Sequence, residues 1–236
     1  CIQSVLNQTL KDWELILVDD CSTDSSSRIL NKYVALDSRI KLYSFNKNVG
    51  AGVARNKGIE ISRERFVAFL DSDDYWHKNK LRLQIDYMIR KNIEFSYTNF
   101  FELDKEDKAS KVVLTPKSVN YFSLLFNNYI KTLTAIYDTK RIGKIYMPNY
   151  RKRQDWGLWF NILNKTNKAF RFKEPLAYYR TSNTSLSKNK LLLLKENYNF
   201  YRFFLQKNFI ISFFMMVLFL VVHLTFKIFF FKKVVN

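Results

Sequence analysis

The sequence predicts an α/β protein in which parallel strands alternate with flanking helices and the chain ends in a hydrophobic helix. Three observations carry that prediction. Short apolar runs of strand length alternate with stretches of helical periodicity along the first hundred or so residues, the pattern of βαβ units. Two of the apolar runs end in carboxylates: Asp19 and Asp20 after "WELILV", and Asp71, Asp73 and Asp74 after "RFVAFL". Residues 210–226 carry no charge and are rich in Phe, Val, Leu and Met. In parallel α/β sheets ligands bind beyond the carboxyl ends of the strands, so the two acidic clusters are expected to converge on one crevice.

Taken in order, "CIQSVLNQTL" spaces Ile2, Val5, Leu6 and Leu10 as one face of a helix. The sequence is therefore expected to begin inside a helix and to lack an upstream strand. "WELILVDD" is a buried strand, and "CSTDSSSRILNKYVAL" is a helix entered through cap-type residues. "RIKLYSF" is the next strand. "NKNVGAGVARNKGIEIS" turns at Gly50 and Gly52 and continues as a helix, and "RFVAFLD" is a strand. Leu81, Ile85, Met88 and Ile89 mark a helix over 78–91, and "EFSYTNF" a strand. Residues 101–115 read as a polar connection or hairpin, "SVNYFSLLFNN" as a helix and "KTLTAIYD" as a strand. "RQDWGLWFNILNK" aligns Trp156, Trp159, Phe160 and Leu163 on one helical face. "KAFRFKEPLAYYR" is a strand, followed by the polar loop "TSNTSLSKNK". The uncharged tail, at about 1.5 Å per residue, would reach roughly 25 Å as a helix, a little short of the hydrocarbon core of a bilayer. With Lys207 before it and Lys227, Lys232 and Lys233 at or beyond its end, it is expected to associate with a membrane, spanning it or lying on it.

With 47% hydrophobic residues in 236, the chain can bury a sizeable core. Only 5 Gly and 3 Pro exclude a fibrous or disordered protein. The formal net charge of +18 points to an anionic partner: nucleic acid, an acidic membrane face or a phosphorylated substrate. Cys1 and Cys21 have no metal-like spacing, make no disulfide framework and suit a reducing compartment. His77 and His223 lack a second ligand at metal spacing and read as ordinary surface and tail residues.

Four stretches in series, "SVLNQTLKDWELILVDDCSTDSS", "NVGAGVARNKGI", "FVAFLDSDDYWHKNKLRLQ" and "RQDWGLWFNIL", resemble the family 2 glycosyltransferases, from residue 1 to about residue 190 and in the family's order. The resemblance is nearest to the bacterial enzymes that build capsule, O-antigen or teichuronic-type polysaccharides. It implies an inverting enzyme with the GT-A fold, a Rossmann-like, mixed but mostly parallel sheet flanked by helices. The transferase domain would take residues 1–190, and a helical, membrane-associated segment residues 191–236.

In "LDSDD", Asp71 and Asp73 lie two apart at a strand end and can face one ion, and hard carboxylate oxygens suit Mg²⁺ or Mn²⁺. This resembles the family's DxD motif, with Asp73 the direct metal ligand; the plainer reading is an acidic turn capping the next helix. The resemblance gives one of Asp19 and Asp20 to the base or ribose of the donor, without saying which, while Ser22 and Asp24 cap a helix. Arg55 and Asn56, with Asp71, are expected on the donor side. Arg55 suits a diphosphate oxygen, and equally an ion pair that steadies the acidic loops. Asp155 resembles the family's catalytic base. Arg153, Gln154 and Trp156 are expected to border the acceptor, although Trp156 and Trp159 also suit a core. Arg180, Ser185, Ser187 and Lys190 resemble a late loop that closes over the diphosphate.

The implied partners are a nucleotide-diphosphate sugar, UDP-linked in the first instance, a lipid-linked or polysaccharide acceptor, and the cytoplasmic face of a bacterial membrane, but no nucleic acid. Two other classes fit parts of the sequence. A basic membrane- or nucleic-acid-binding module fits the charge, yet the basic residues are dispersed and the acidic clusters repel phosphate unless a metal intervenes. A truncated, inactive homologue fits the missing upstream strand, which in the family often ends in a "P-T-Y-N"-like turn.

Overall fold

The protein, described by a computed structural model over residues 1–150, 152–181 and 190–233, carries its strands in two sheets. After a short helix α1 (Ile2–Leu6), β1 (Leu15–Asp19), α2 (Ser26–Leu36) and β2 (Ile40–Ser44) make the predicted βαβ unit. Its strands run parallel, with Leu15 opposite Ile40 and Asp19 opposite Ser44. Then come α3 (Ala51–Ile61), β3 (Phe66–Ala68), β4 (Tyr75–Trp76), α4 (Lys80–Arg90) and the long strand β5 (Phe95–Leu103). β6 (Ala109–Val113) closes a hairpin on β5, the second of the two readings of residues 101–115.

Two segments differ from their sequence reading. Residues 118–128 are not one helix: β7 (Ser118–Asn120) pairs with a later strand, and only one turn follows as α5 (Tyr121–Leu124). Asn120 is the reason, because its side chain accepts from Ser123 N while the Ser123 hydroxyl accepts from Asn120 N, a capping box that starts a new helix there. "KTLTAIYD" begins as a 3₁₀ turn, Thr132–Thr134, before β8 (Ile136–Asp138). β8 pairs antiparallel with β3 and with the start of β5, so β3 joins the second sheet rather than the β1–β2 pair.

The chain continues through α6 (Thr139–Ile142), α7 (Gln154–Thr166), β9 (Lys168–Arg180), α8 (Lys190–Asn199), a π-helical turn (Phe200–Phe204), α9 (Phe209–Phe230) and β10 (Phe231–Lys233). β9 runs parallel to β5 along most of its length and antiparallel to β4 and β7, which makes the second sheet mixed.

α7 is the central element of the core. Trp156, Leu158, Trp159, Phe160 and Ile162 are buried on it, and Trp156 stacks flat on Phe200 with ring centroids 4.4 Å apart. Each indole finds an acceptor, Trp156 on the Leu124 carbonyl (3.0 Å) and Trp159 on that of Ile130 (3.1 Å), so burying them leaves no donor unpaired. Gly157 is required here. A methyl at that position would sit 2.4 Å from Cγ and 2.9 Å from Cδ of Pro148, a rigid ring. Gly157→Ala should therefore destabilise the fold by about 1–3 kcal/mol, the usual cost of overpacking. That lowers the melting temperature by roughly 2–10 °C. An unchanged calorimetric melt would show that the segment around Pro148 yields freely.

Candidate active site

The site is assembled by loops that leave the C-terminal ends of β1 and β3, and α3 ties the two together. At the end of β1, Asp19 accepts from the backbone N–H (3.1 Å) and hydroxyl (2.5 Å) of Ser22 through one oxygen, Oδ1. Asp20 spends both of its oxygens on the turn before α3, accepting from Val49 N at 2.6 Å and Gly50 N at 2.8 Å. Gly50 has φ +90°, a conformation that excludes most side chains, so the predicted turn glycine is needed. Gly52 is the close approach: a Cβ there would lie 3.2 Å from Cγ of Gln154. A cavity of about 220 Å³ opens between these two helix starts, lined by Gly50, Gly52, Pro148, Tyr150 and Gln154 among others.

Further along α3, Arg55 forms an ion pair with Asp71 in the loop after β3. Of the two roles that suited Arg55, this is the structural one. Asn56, expected on the donor side, lines that cavity and commits its side-chain amide to the backbone. Its amide clasps the backbone of Met147, accepting from its N–H at 2.7 Å and donating to its carbonyl at 2.9 Å. A side-chain amide matches a peptide unit, and here it fastens α3 to the segment leading into α7.

In the "LDSDD" loop the three aspartates are in different situations. Asp73 is exposed, and among the described residues its carboxylate takes no hydrogen bond or ion pair. Asp74 N donates to the Asp71 carbonyl at 3.1 Å, so the loop is a tight turn. Asp74 is only 1% exposed and accepts from Arg180 N at 2.9 Å. Burial pushes its carboxyl from the usual 3.8 up to about 7, against the Arg180 N–H, with the charges of Asp73 and Asp71 adding to the rise.

The sign of the linkage follows. Between pH 3.8 and about 7 the folded chain holds a proton that the unfolded chain has lost. That contribution to stability is full below 3.8 and is lost as pH rises through 7. Asp74→Asn keeps the acceptor oxygen and removes the charge. It should raise the melting temperature at pH 8, by an amount corresponding to a few kcal/mol at most, and leave it nearly unchanged at pH 4. Equal shifts at both pH values would refute this. Lys80 is fully buried, and burial pulls it down to about 7. It acts in a different window, above pH 7, and with the opposite sign.

Arg180 also differs from expectation. Instead of being free to close over a diphosphate, its guanidinium donates to both oxygens of Asp107, at 2.6 and 2.9 Å, and to the Asp73 carbonyl at 3.0 Å. Asp107 sits in the β5–β6 turn with φ +60°. Arg180 thereby pins the aspartate loop to the hairpin, helped by Tyr75 stacked on Tyr178 at 4.6 Å. Ser185 and Ser187 lie outside the described residues, and Lys190 opens α8.

Asp155 is in the first turn of α7, where unpaired backbone N–H groups favour negative charge. Its Oδ2 accepts from Asn128 Nδ2 at 3.0 Å. Arg153 precedes it in the left-handed region (φ 63°), with its guanidinium 5.8 Å from the Trp156 ring and 5.9 Å from Phe219. Burial lowers the Arg153 pKa from its usual value. Its Nε, together with Asn128 Oδ1 and Asn127 Nδ2, is buried without a hydrogen-bond partner among the described residues. Gln154 is buried and packs beside Gly52. Trp156 does not border the acceptor: it has no exposed surface and belongs to the core. Sequence reasoning missed Asn128, Asp107 and the burial of Asp74. The two partners come from segments that read as helix and as polar connection, with no local signal of their contacts.

The donor set fits a divalent ion in part. Among the described residues no three His, Cys, Asp or Glu side chains form a metal-holding group. Asp71 and Asp73 would supply hard oxygens and leave the remaining positions to water and phosphate, the usual manner of Mg²⁺ beside a nucleotide.

The Glycosyl transferase family 2 sequence model matches residues 1–191. TuaG of Bacillus subtilis (strain 168), whose name assigns it to teichuronic acid biosynthesis as a glycosyltransferase, is 41% identical over 202 residues, covering 85% of this chain and 80% of its own. WfaP of Escherichia coli, a UDP-Glc:α-D-GlcNAc-diphosphoundecaprenol β-1,3-glucosyltransferase, is 39% identical over 189 residues, 80% of this chain and 74% of its own. Among solved structures, S. aureus TarS in complex with UDP-GlcNAc superposes with a TM-score of 0.73 at 19% identity, covering 95% of this chain and 68% of that one. This likeness supports the GT-A architecture of the mixed sheet.

Proposed function

This chain belongs to glycosyl transferase family 2, and from that premise we propose that it transfers a sugar, with inversion, from a UDP-sugar to a hydroxyl of a lipid-linked acceptor in bacterial surface polysaccharide synthesis. The observation that carries the proposal is Asp155, held at a helix N-terminus by Asn128 and accompanied by buried polar atoms of Arg153, Asn127 and Asn128 that lack partners among the described residues. Asn128 Oδ1, Asn127 Nδ2 and Arg153 Nε offer one acceptor and two donors to the hydroxyls of an incoming sugar. The relatives support the chemistry: WfaP is named for a UDP-glucose donor and an undecaprenol-linked acceptor, and TarS holds UDP-GlcNAc.

In this reading Asp155 takes the proton of the attacking hydroxyl, so that one carboxylate suffices and no covalent intermediate forms. Asp19, whose Oδ2 carries no hydrogen-bond partner among the described residues, contacts the nucleotide, and Asp20 braces the turn before α3. Asp71 and Asp73 would hold Mn²⁺ or Mg²⁺, which would offset the charge that builds on the departing diphosphate. Arg55 keeps Asp71 in place, and Arg180 keeps the loop against the hairpin. The work is done at the cytoplasmic face of the membrane, where anionic lipid attracts the chain's surplus of Lys and Arg.

Calorimetric titration with a panel of nucleotide sugars, with and without Mn²⁺, tests the donor half of this reading. One UDP-sugar should bind in a Mn²⁺-dependent way, and absence of uptake for every donor would sink it. Arg180→Ala should weaken that binding about 10–100-fold, the usual cost of losing a group that orients a metal ligand. Asp107→Asn breaks only an exposed ion pair worth about 0–1 kcal/mol and should cost no more than roughly fivefold. Equal losses in the two variants would mean that Arg180 acts only through Asp107.

A further inference from the structure

The tail's relation to the membrane can be read from how α9 is attached. Its inner row is docked on the domain from end to end. Ser212, Met215 and Phe219 are buried, and the Phe219 ring lies 5.3 Å from Trp156. One turn on, His223 Nδ1 lies 3.1 Å from Asn127 Oδ1, and Phe226 packs edge-on to Tyr129 at 5.2 Å. At the C-terminal end the Phe230 carbonyl accepts from Leu114 N at 2.8 Å, and β10 pairs antiparallel with β6. The N-terminal end follows a π-helical turn that is itself fastened to the domain: Phe200 and Tyr201 are buried, and the Tyr201 hydroxyl donates to the Leu125 carbonyl at 2.6 Å.

The outer row has the complementary spacing. Ile210, Phe214, Val217, Val221, Leu224 and Ile228 follow at intervals of three and four residues and are all exposed. At about 1.5 Å per residue the 22-residue helix would be long enough to cross a bilayer. Both of its ends, however, rejoin the same sheet-bearing domain. A crossing would carry polar surface of that domain into hydrocarbon, where unpaired polar groups are costly.

We propose that α9 is an in-plane anchor. It lies flat on an anionic bilayer with the Ile210-to-Ile228 row in the acyl boundary, and its docked row backs the catalytic segment through Phe219 and Trp156. The proposal rests on the reading that this chain acts on lipid-linked acceptors, and it fixes the orientation: the domain sits on one leaflet and does not cross. The occupant is lipid because a one-helix-wide apolar row on a chain of net charge +18 matches the apolar and anionic layers of a bilayer surface. Asp155 adjoins Trp156, so the docked row of α9 lies directly behind the helix that carries the proposed base.

The test uses the full chain with phosphatidylcholine vesicles containing about a third phosphatidylglycerol, the anionic fraction that attracts basic residues. The protein should float with them. Val217→Glu combined with Leu224→Glu should abolish flotation and leave the melting temperature and Mn²⁺-dependent donor binding unchanged. With Cys1 and Cys21 replaced by Ser, Asn208→Cys and Phe229→Cys should each react with an impermeant maleimide added outside intact vesicles. Labelling of one position only after the vesicles are lysed would show a crossing and overturn the in-plane anchor while membrane association stands. Absence of flotation would overturn both. Flotation that survives the double Glu variant would show that the row is not the contact. A dimer that this variant dissociates in the absence of lipid would assign the row to a second copy and overturn the proposal.

Discussion

Asp155→Asn is expected to bind the nucleotide sugar with unchanged affinity and to lose transfer, kcat falling by about 10²–10⁴, the range spanned by general-base catalysis. The separation follows from geometry. Asp155 opens α7 and contacts Asn128, whereas the donor-side aspartates sit on the loops after β1 and β3. Asparagine keeps the shape and an oxygen for Asn128 Nδ2 but cannot take a proton. Asn128→Ala should reproduce part of the loss, because the carboxylate would no longer be oriented, with a smaller effect on kcat and little on the donor KM. Isothermal titration for binding and single-turnover transfer for chemistry separate the two effects. If Asp155→Asn turned over normally, the proton would be going elsewhere.

The second large effect is expected at Asp73. Its carboxylate is exposed and takes no protein partner among the described residues, in contrast to Asp71 with Arg55 and Asp74 in its buried niche. A group so placed costs the fold little to lose. Asp73→Asn should melt within about a degree of the unmodified protein, as surface substitutions generally do. It should nevertheless lose the Mn²⁺ dependence of donor binding altogether, because a neutral amide is a poor ligand for a hard cation. Asp71→Asn should be more damaging to the fold, since it also strands Arg55, a guanidinium largely withdrawn from water. A Mn²⁺ dependence that survives Asp73→Asn would move the metal away from this loop.

What was legible in the sequence was local. Alternating apolar and helical stretches located the strands β1, β2, β3 and β5 and the helices between them. The aspartates at the ends of β1 and β3 were visible as a pair of acidic clusters, and Gly50 marked a turn that its positive φ requires. What was not legible depends on contacts between distant segments. Asn56 and Arg180 have the chemistry of phosphate and sugar ligands, yet that same chemistry suits a peptide unit at Met147 and a carboxylate at Asp107, and only tertiary structure chooses. An aromatic beside a candidate catalytic carboxylate looks the same whether it stacks on sugar or fills a core, and Trp156 does the latter. The stretch "SVNYFSLLFNN" has helical composition, but Asn120 breaks it into a strand and a turn. The tail's apolar run announced a long apolar helix without saying that β10 would return to β6.

The most direct test of the central claim needs no knowledge of the acceptor. Incubated with an α-linked UDP-sugar and Mn²⁺, the protein should slowly pass the sugar to water, and early proton NMR spectra should show the β-anomer appearing first. That result, together with its loss in Asp155→Asn, is what a single carboxylate base behind the anomeric carbon predicts. Release of the α-anomer first, or the same release without a divalent ion, would contradict it.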